Sequence, residues 1–105
     1  MSLNRRSPRR DGSEPDIVHA LTAIGCSVQP LSGKGVPDLL VGVGGLTLLL
    51  ECKAPAGPRG GVSGRGLTED QETWQRNWRG SRVWIARTTE DAIAAVREAL
   101  DEGAG

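Results

Sequence analysis

Two carboxylates and an ammonium fall where this chain otherwise calls for buried strands. Asp38 lies in the run Val36-Pro37-Asp38-Leu39-Leu40-Val41-Gly42-Val43, and Glu51-Cys52-Lys53 closes the run from Leu46 to Lys53. Gly44-Gly45 between the two runs suits a two-residue hairpin turn. With that turn Val43 faces Leu46, and stepping outward pair by pair brings Asp38 directly across from Glu51, with Lys53 two residues on along the same face. The opposite face then carries Leu39, Val41, Val43, Leu46, Leu48, Leu50 and Cys52, an unbroken apolar surface that supports the register independently.

Like charges opposed across a sheet are destabilising, and their Cβ atoms sit only about 4.5–5.5 Å apart, so the two acids need a proton or a cation between them. A hard divalent cation such as magnesium prefers carboxylate oxygens and keeps room for water and phosphate oxygens. Asp38 and Glu51 holding such an ion, with Lys53 stabilising developing charge or orienting a water, is an arrangement suited to metal-assisted phosphoryl chemistry. The plainer alternative is an ion-pair network in which Lys53 neutralises an acid without catalysis. One lysine cannot neutralise two carboxylates, and the segment that follows is rich in glycine and arginine.

Composition sets the bounds. At 105 residues the chain suits one small domain, able to bury a core without disulfides or a structural metal. Thirteen basic and thirteen acidic residues give no net charge, which argues against an indiscriminate polycation. The charge is uneven, with Arg5, Arg6, Arg9 and Arg10 in a segment free of acids, and residues 1–12 read as a basic, flexible arm ahead of a domain at 13–101. Such an arm suits phosphate contacts or a solvated tail equally well. No apolar run reaches membrane-spanning length and the N-terminus lacks the apolar stretch of a secretory signal, so no membrane association and a cytoplasmic location are expected. Cys26 and Cys52 are expected as reduced, packed thiols, Cys52 on the core face.

The elements that must position the acids follow from local pattern. Ser13 is a candidate cap for a helix through Ile24, ended by Gly25, with Ile17, Leu21 and Ile24 as its apolar stripe and Glu14 at its start. The helix dipole alone explains an acid at that position, and a metal role is the alternative. Cys26 to Leu31 reads as a first strand, and Ser32 to Val36, with Lys34 between two glycines, as a turn. Ala54 to Gly66 is a long connection carrying Arg59 and Arg65. Thr68-Glu69-Asp70-Gln71 matches a capping box and opens a helix to about Trp78. Val83 to Ala86 is a fourth strand, and Thr88 or Thr89 caps a last helix with Ile93, Val96 and Leu100 on one face before a frayed end from Asp101. Trp74, Trp78 and Trp84 are expected in the core, since no phenylalanine or tyrosine exists to fill it, base-stacking platforms being the alternative.

The resulting order αβββαβα, with PD, twelve residues and then ECK, resembles the PD-(D/E)xK nuclease superfamily. The continuation Gly35-Val36-Pro37-Asp38-Leu39 and Leu67-Thr68-Glu69-Asp70-Gln71-Glu72-Thr73-Trp74, followed by a hydrophobic strand and a helix with Asp91-Ala92-Ile93, is similar to stand-alone VRR-NUC domains of phage and bacterial proteins. The resemblance spans about residues 13 to 100. It implies an α/β fold with a restriction-endonuclease-like αβββαβ core, and a magnesium- or manganese-dependent DNA endonuclease acting as a homodimer on branched DNA such as Holliday junctions, in a bacterial cell or phage-infected host. By the same resemblance Glu14 joins Asp38 and Glu51 as a metal ligand, the Cys52 backbone carbonyl contributes another, and Gln71 joins Asp38, Glu51 and Lys53 as a catalytic residue. Lys34, Arg59 and Arg65 are the candidate DNA contacts. Two other readings use the same residues: a module of this fold that grips branched nucleic acid without cleaving it, and a structural or assembly protein whose acids form a salt-bridge network.

Overall fold

The hairpin forms as its pattern requires. The computed structural model describes residues 14–53 and 67–104; the N-terminal arm, the Ser13 cap and the 54–66 connection with Arg59 and Arg65 lie outside the described residues. Gly44 and Gly45 turn the chain with φ of 58° and 81°, the left-handed geometry that a two-residue hairpin of this kind demands. Strands β2 (Leu39–Val43) and β3 (Leu46–Cys52) pair antiparallel with Val43 opposite Leu46 and Leu39 opposite Leu50, the register expected from the turn.

Two further strands complete a mixed four-stranded sheet in the order β1-β2-β3-β4. Strand β1 (Ser27–Pro30) lies antiparallel to β2, and β4 (Val83–Ala86) lies parallel to β3. Helices α1 (Glu14–Ala23), α2 (Glu69–Asn77) and α3 (Thr89–Ala104) give the order αβββαβα. The described residues form a small single domain of one mixed sheet and three helices. Among the described residues no helix is long and apolar enough to cross a membrane.

The core lies against one face of the hairpin. Leu39, Val41, Leu48 and Leu50 are buried there with Ile17 and Leu21 of α1 and with Ala92, Ala95, Val96 and Ala99 of α3. Burying each of these leucines and valines is worth about 1.5–3 kcal/mol. Alanines on α3 bring the helix close to the sheet, and Ile93 and Leu100 pack at the margin. Cys26 and Cys52 are free thiols, Cys26 within the core and Cys52 packed against it. Burial raises the pKa of the Cys26 thiol. Burial first, then the charges of Asp38, Glu14 and Glu51, pushes Cys52 up to about 12.

Several expectations are corrected. Ile24 is 50 % exposed and leaves the apolar stripe. It sits where α1 has already ended: Gly25, at φ 101°, donates to Thr22 O, and Cys26 N donates to Leu21 O at 3.0 Å. These are the two bonds of a Schellman motif, in which buried Cys26 takes the apolar position instead. Strand β2 begins at Leu39 and not at Val36, because Gly35 is in a turn with φ 78° and Pro37 has no N–H for the ladder. Helix α3 continues through Ala104 and does not fray at Asp101. Trp74 and Trp78 lie outside the core; Trp78 is 44 % exposed and the two indoles stack on each other. Only Trp84 packs against the core as expected, with the Arg82 guanidinium 3.8 Å from its ring centroid.

Candidate active site

Four chain segments converge where β3 ends: the start of α1, the approach to β2, the last residues of β3 and the first turn of α2. On β3 the alternation of side chains turns Cys52 toward the core and Glu51 to the other face. Glu51 is 2 % exposed, the one buried charged side chain among the described residues. Its Oε2 accepts the Gln71 amide N–H at 2.7 Å and lies 3.6 Å from Lys53 Nζ. Its Oε1 is buried with no hydrogen-bond partner. A buried carboxylate oxygen without a partner costs free energy and calls for an explanation, a proton or an ion being the usual one.

Asp38 stands beside the Glu51 carboxyl but not in the ladder. The β2–β3 pairing stops at Leu39–Leu50, whereas the pairing of β3 with β4 runs from Leu49–Val83 to Cys52–Ala86. The Asp38 carbonyl accepts Leu31 N–H at 2.8 Å, while its Oδ2 accepts Cys52 N–H at 2.7 Å. The expected opposition of Asp38 and Glu51 thus becomes a neighbourhood held by a side-chain-to-backbone bond. Burial, then the nearby Asp38 charge, raises the Glu51 pKa to about 7, against the opposing pull of Lys53.

Glu14 enters from the first turn of α1. Its carboxyl is raised by burial and then by the Asp38 charge, which places it within electrostatic reach of the pair. Among the described residues, however, no three His, Cys, Asp or Glu side chains form a ready metal cage.

Gln71 closes the site. Thr68 caps α2, its Oγ1 accepting Gln71 N–H at 3.2 Å, and the Gln71 Oε1 accepts Thr68 N–H at 2.9 Å, completing the capping box. The same Oε1 accepts the Lys53 ammonium at 2.7 Å, while Nε2 serves Glu51. Cap and site are therefore one amide. Lys34 is exposed in the turn before Gly35, and Gly35 is pressed against α2 so closely that a Cβ there would collide with the carbonyl of Asp70.

Of the expected site residues, Asp38, Glu51, Lys53 and Gln71 come together, Glu14 borders them and Lys34 stands apart on the surface. What sequence pattern missed is the indole pair beside Lys34. The signal was available: α2 reads EDQETWQRN, and a helix with one strongly apolar residue has no stripe to sink into a core.

The donors present are hard carboxylate oxygens, one of them buried and unpartnered, and this set fits magnesium or manganese and no softer ion. Asp38 and Glu51 would hold the cation, which when bound supplies a Lewis acid for a phosphoryl oxygen and a lowered pKa for a bound water. Comparison with protein-family models, curated proteins and solved structures returns no match.

Proposed function

We propose that the chain is a divalent-metal-dependent DNA endonuclease with a restriction-endonuclease-like core, similar to stand-alone VRR-NUC domains, hydrolysing phosphodiester bonds in branched DNA. The observation that carries this reading is the unpartnered, buried Oε1 of Glu51 beside Asp38, in a cluster that also contains an ammonium. In a purely structural ion-pair network only a proton would partner that oxygen.

In this reading Lys53, steadied by Gln71, offers positive charge to the phosphate or to the attacking water. Glu51 is oriented by the Gln71 amide, and Asp38 by the Cys52 N–H, so both carboxylates are fixed before substrate arrives. Glu14 lies near enough to join through its charge. A homodimer would offer two such sites to two strands of one branch point.

The test is cleavage of labelled four-way, flap, single-stranded and linear duplex DNA with magnesium or manganese, by wild type and Lys53→Ala. Cutting that falls on the order of a hundredfold to a thousandfold in the variant, with DNA binding retained, is the expected result. Binding without cutting by the wild type, with either metal, would replace the enzyme by a binding module.

A further inference from the structure

The Trp74–Trp78 pair contributes neither to the core nor to the Asp38–Glu51 cluster. The two rings stack with centroids 4.8 Å apart and planes inclined by 17°. Trp78 is held by a hydrogen bond from Nε1 to Ser81 O at 2.9 Å, and by Gly80, whose missing Cβ would come within 2.7 Å of the ring. An exposed indole is thus kept in one place by its surroundings.

The pair forms part of a groove of about 330 Å³ lined by Lys34, Asp70, Thr73, Trp74, Asn77 and Trp78. Residues 70, 73, 74 and 77 recur at the spacing of one helix face, so the groove follows α2. It adjoins the candidate active site, because Gly35, next to Lys34, lies against the backbone of Asp70 and Gln71. At about 1.5 Å per helical residue, Trp78 is on the order of 10 Å along α2 from Gln71, roughly three nucleotides at about 3.4 Å each.

Flat aromatic surface, one cation for a phosphate, and the Asn77 amide and Asp70 carboxylate for base edges are the chemistry of nucleotide recognition. Lys34 is balanced by Asp70, so the groove is not a track for a long polyanion; it suits a base whose π face is free. Paired bases hide that face in the duplex stack. We propose that this groove stacks an unpaired nucleotide of the DNA substrate, making the substrate class DNA with a single-stranded stretch adjoining the cut. The assignment rests on the nuclease reading above.

The probe is a twelve-nucleotide oligothymidylate, titrated without metal and compared with a blunt duplex of equal length, while indole fluorescence is followed. Wild type is expected to bind the single strand more tightly, with quenching. Trp74→Leu and Trp78→Leu, which keep apolar bulk and lose the π face, should each weaken binding about tenfold. Trp84→Phe should not. Lys34→Ala, at an exposed turn position, should lower the dependence of log affinity on log salt by about 0.7. Thermal midpoints check that each variant is folded, and the lysine variant keeps the test open if an indole variant does not fold. Unchanged affinity in the leucine variants, or binding without an indole response, overturns the proposal. Indole emission that tracks protein concentration and dimer formation but not DNA assigns the groove to a second copy and overturns it equally. Cutting of duplex and junction with no indole response sinks the groove alone; quenching lost in the variants, with no cutting under any metal, sinks the enzyme alone.

Discussion

The side-chain amide of Gln71 joins Lys53 to Glu51, accepting from the ammonium at 2.7 Å and donating to the carboxylate at 2.7 Å. An amide does both at once through two separate atoms, its oxygen accepting and its nitrogen donating. It also orients Glu51 so that Oε2 is satisfied and Oε1 is not.

Substitutions at Gln71 should separate capping from site chemistry. Gln71→Glu keeps the capping-box acceptor yet faces Glu51 with a second carboxylate and no donor. Its metal-free thermal midpoint should fall below that of wild type at pH 8 and recover toward pH 5, where Glu51 carries a proton. Gln71→Ala should lose about 1 kcal/mol of helix capping at every pH. Thermal melts of the three proteins across that range check both statements.

Glu51 gives the metal-free fold its own pH dependence. Its carboxyl is raised from 4.5 to about 7 in the folded state, mainly by burial. A raised carboxyl favours folding when protonated, so the contribution is complete below about pH 4.5 and is lost as pH rises through about 7. The loss should be on the order of 3 kcal/mol. Glu51→Gln, a neutral mimic of the protonated acid, should abolish this component, as denaturant unfolding at pH 5 and pH 8 without metal would reveal. An identical pH slope in both proteins would mean that Glu51 is charged throughout.

Asp38 has two duties that different replacements divide. Asp38→Asn keeps an oxygen for the Cys52 N–H and removes the charge beside Glu51, so metal-free stability should hold or rise while stabilisation by millimolar magnesium or manganese disappears. Asp38→Ala strands the N–H as well and should cost about 1–3 kcal/mol. Melting curves with and without metal measure both effects; equal metal responses in wild type and Asp38→Asn would break the assignment of Asp38 as a ligand.

Gly35 sets the spacing between the Asp38 approach and α2. A methyl group there meets the Asp70 carbonyl and forces an L-residue to φ 78°. Gly35→Ala should destabilise by about 1–3 kcal/mol and disturb the Gln71 contacts more than the hairpin. Amide exchange should speed at Gln71 and Glu72 before it does at Leu48. Uniform loosening would instead point to a general loss of stability.

Much of this was legible because sheet alternation and turn chemistry agree: Gly44-Gly45 and the apolar face from Leu39 to Leu50 leave a single register. Thr68 and Gln71 announced a capping box by spacing, and it is present. What pattern could not convey was depth. The absence of phenylalanine and tyrosine suggested tryptophan in the core, whereas Ala92, Ala95 and Ala99 fill it by bringing α3 close. Nor does any local rule say that a capping glutamine has a free amide end, or where that end points, since Lys53 and Glu51 reach it only through tertiary packing.

The end of the β2–β3 ladder at Leu39–Leu50 leaves the Cys52 N–H without a main-chain acceptor on that side, and Asp38 Oδ2 takes that place. On the proposed reading this would set how each acid binds a cation. Asp38 has one uncommitted oxygen, Oδ1, and Glu51 has one, Oε1, since the Gln71 amide occupies Oε2. Two monodentate donors fill a third of an octahedral magnesium shell of about six oxygens. On the proposed metal-dependent reading these two side chains alone would chelate weakly and leave the remaining positions to water and phosphate, so nucleic acid and cation should each raise the affinity for the other by the same factor.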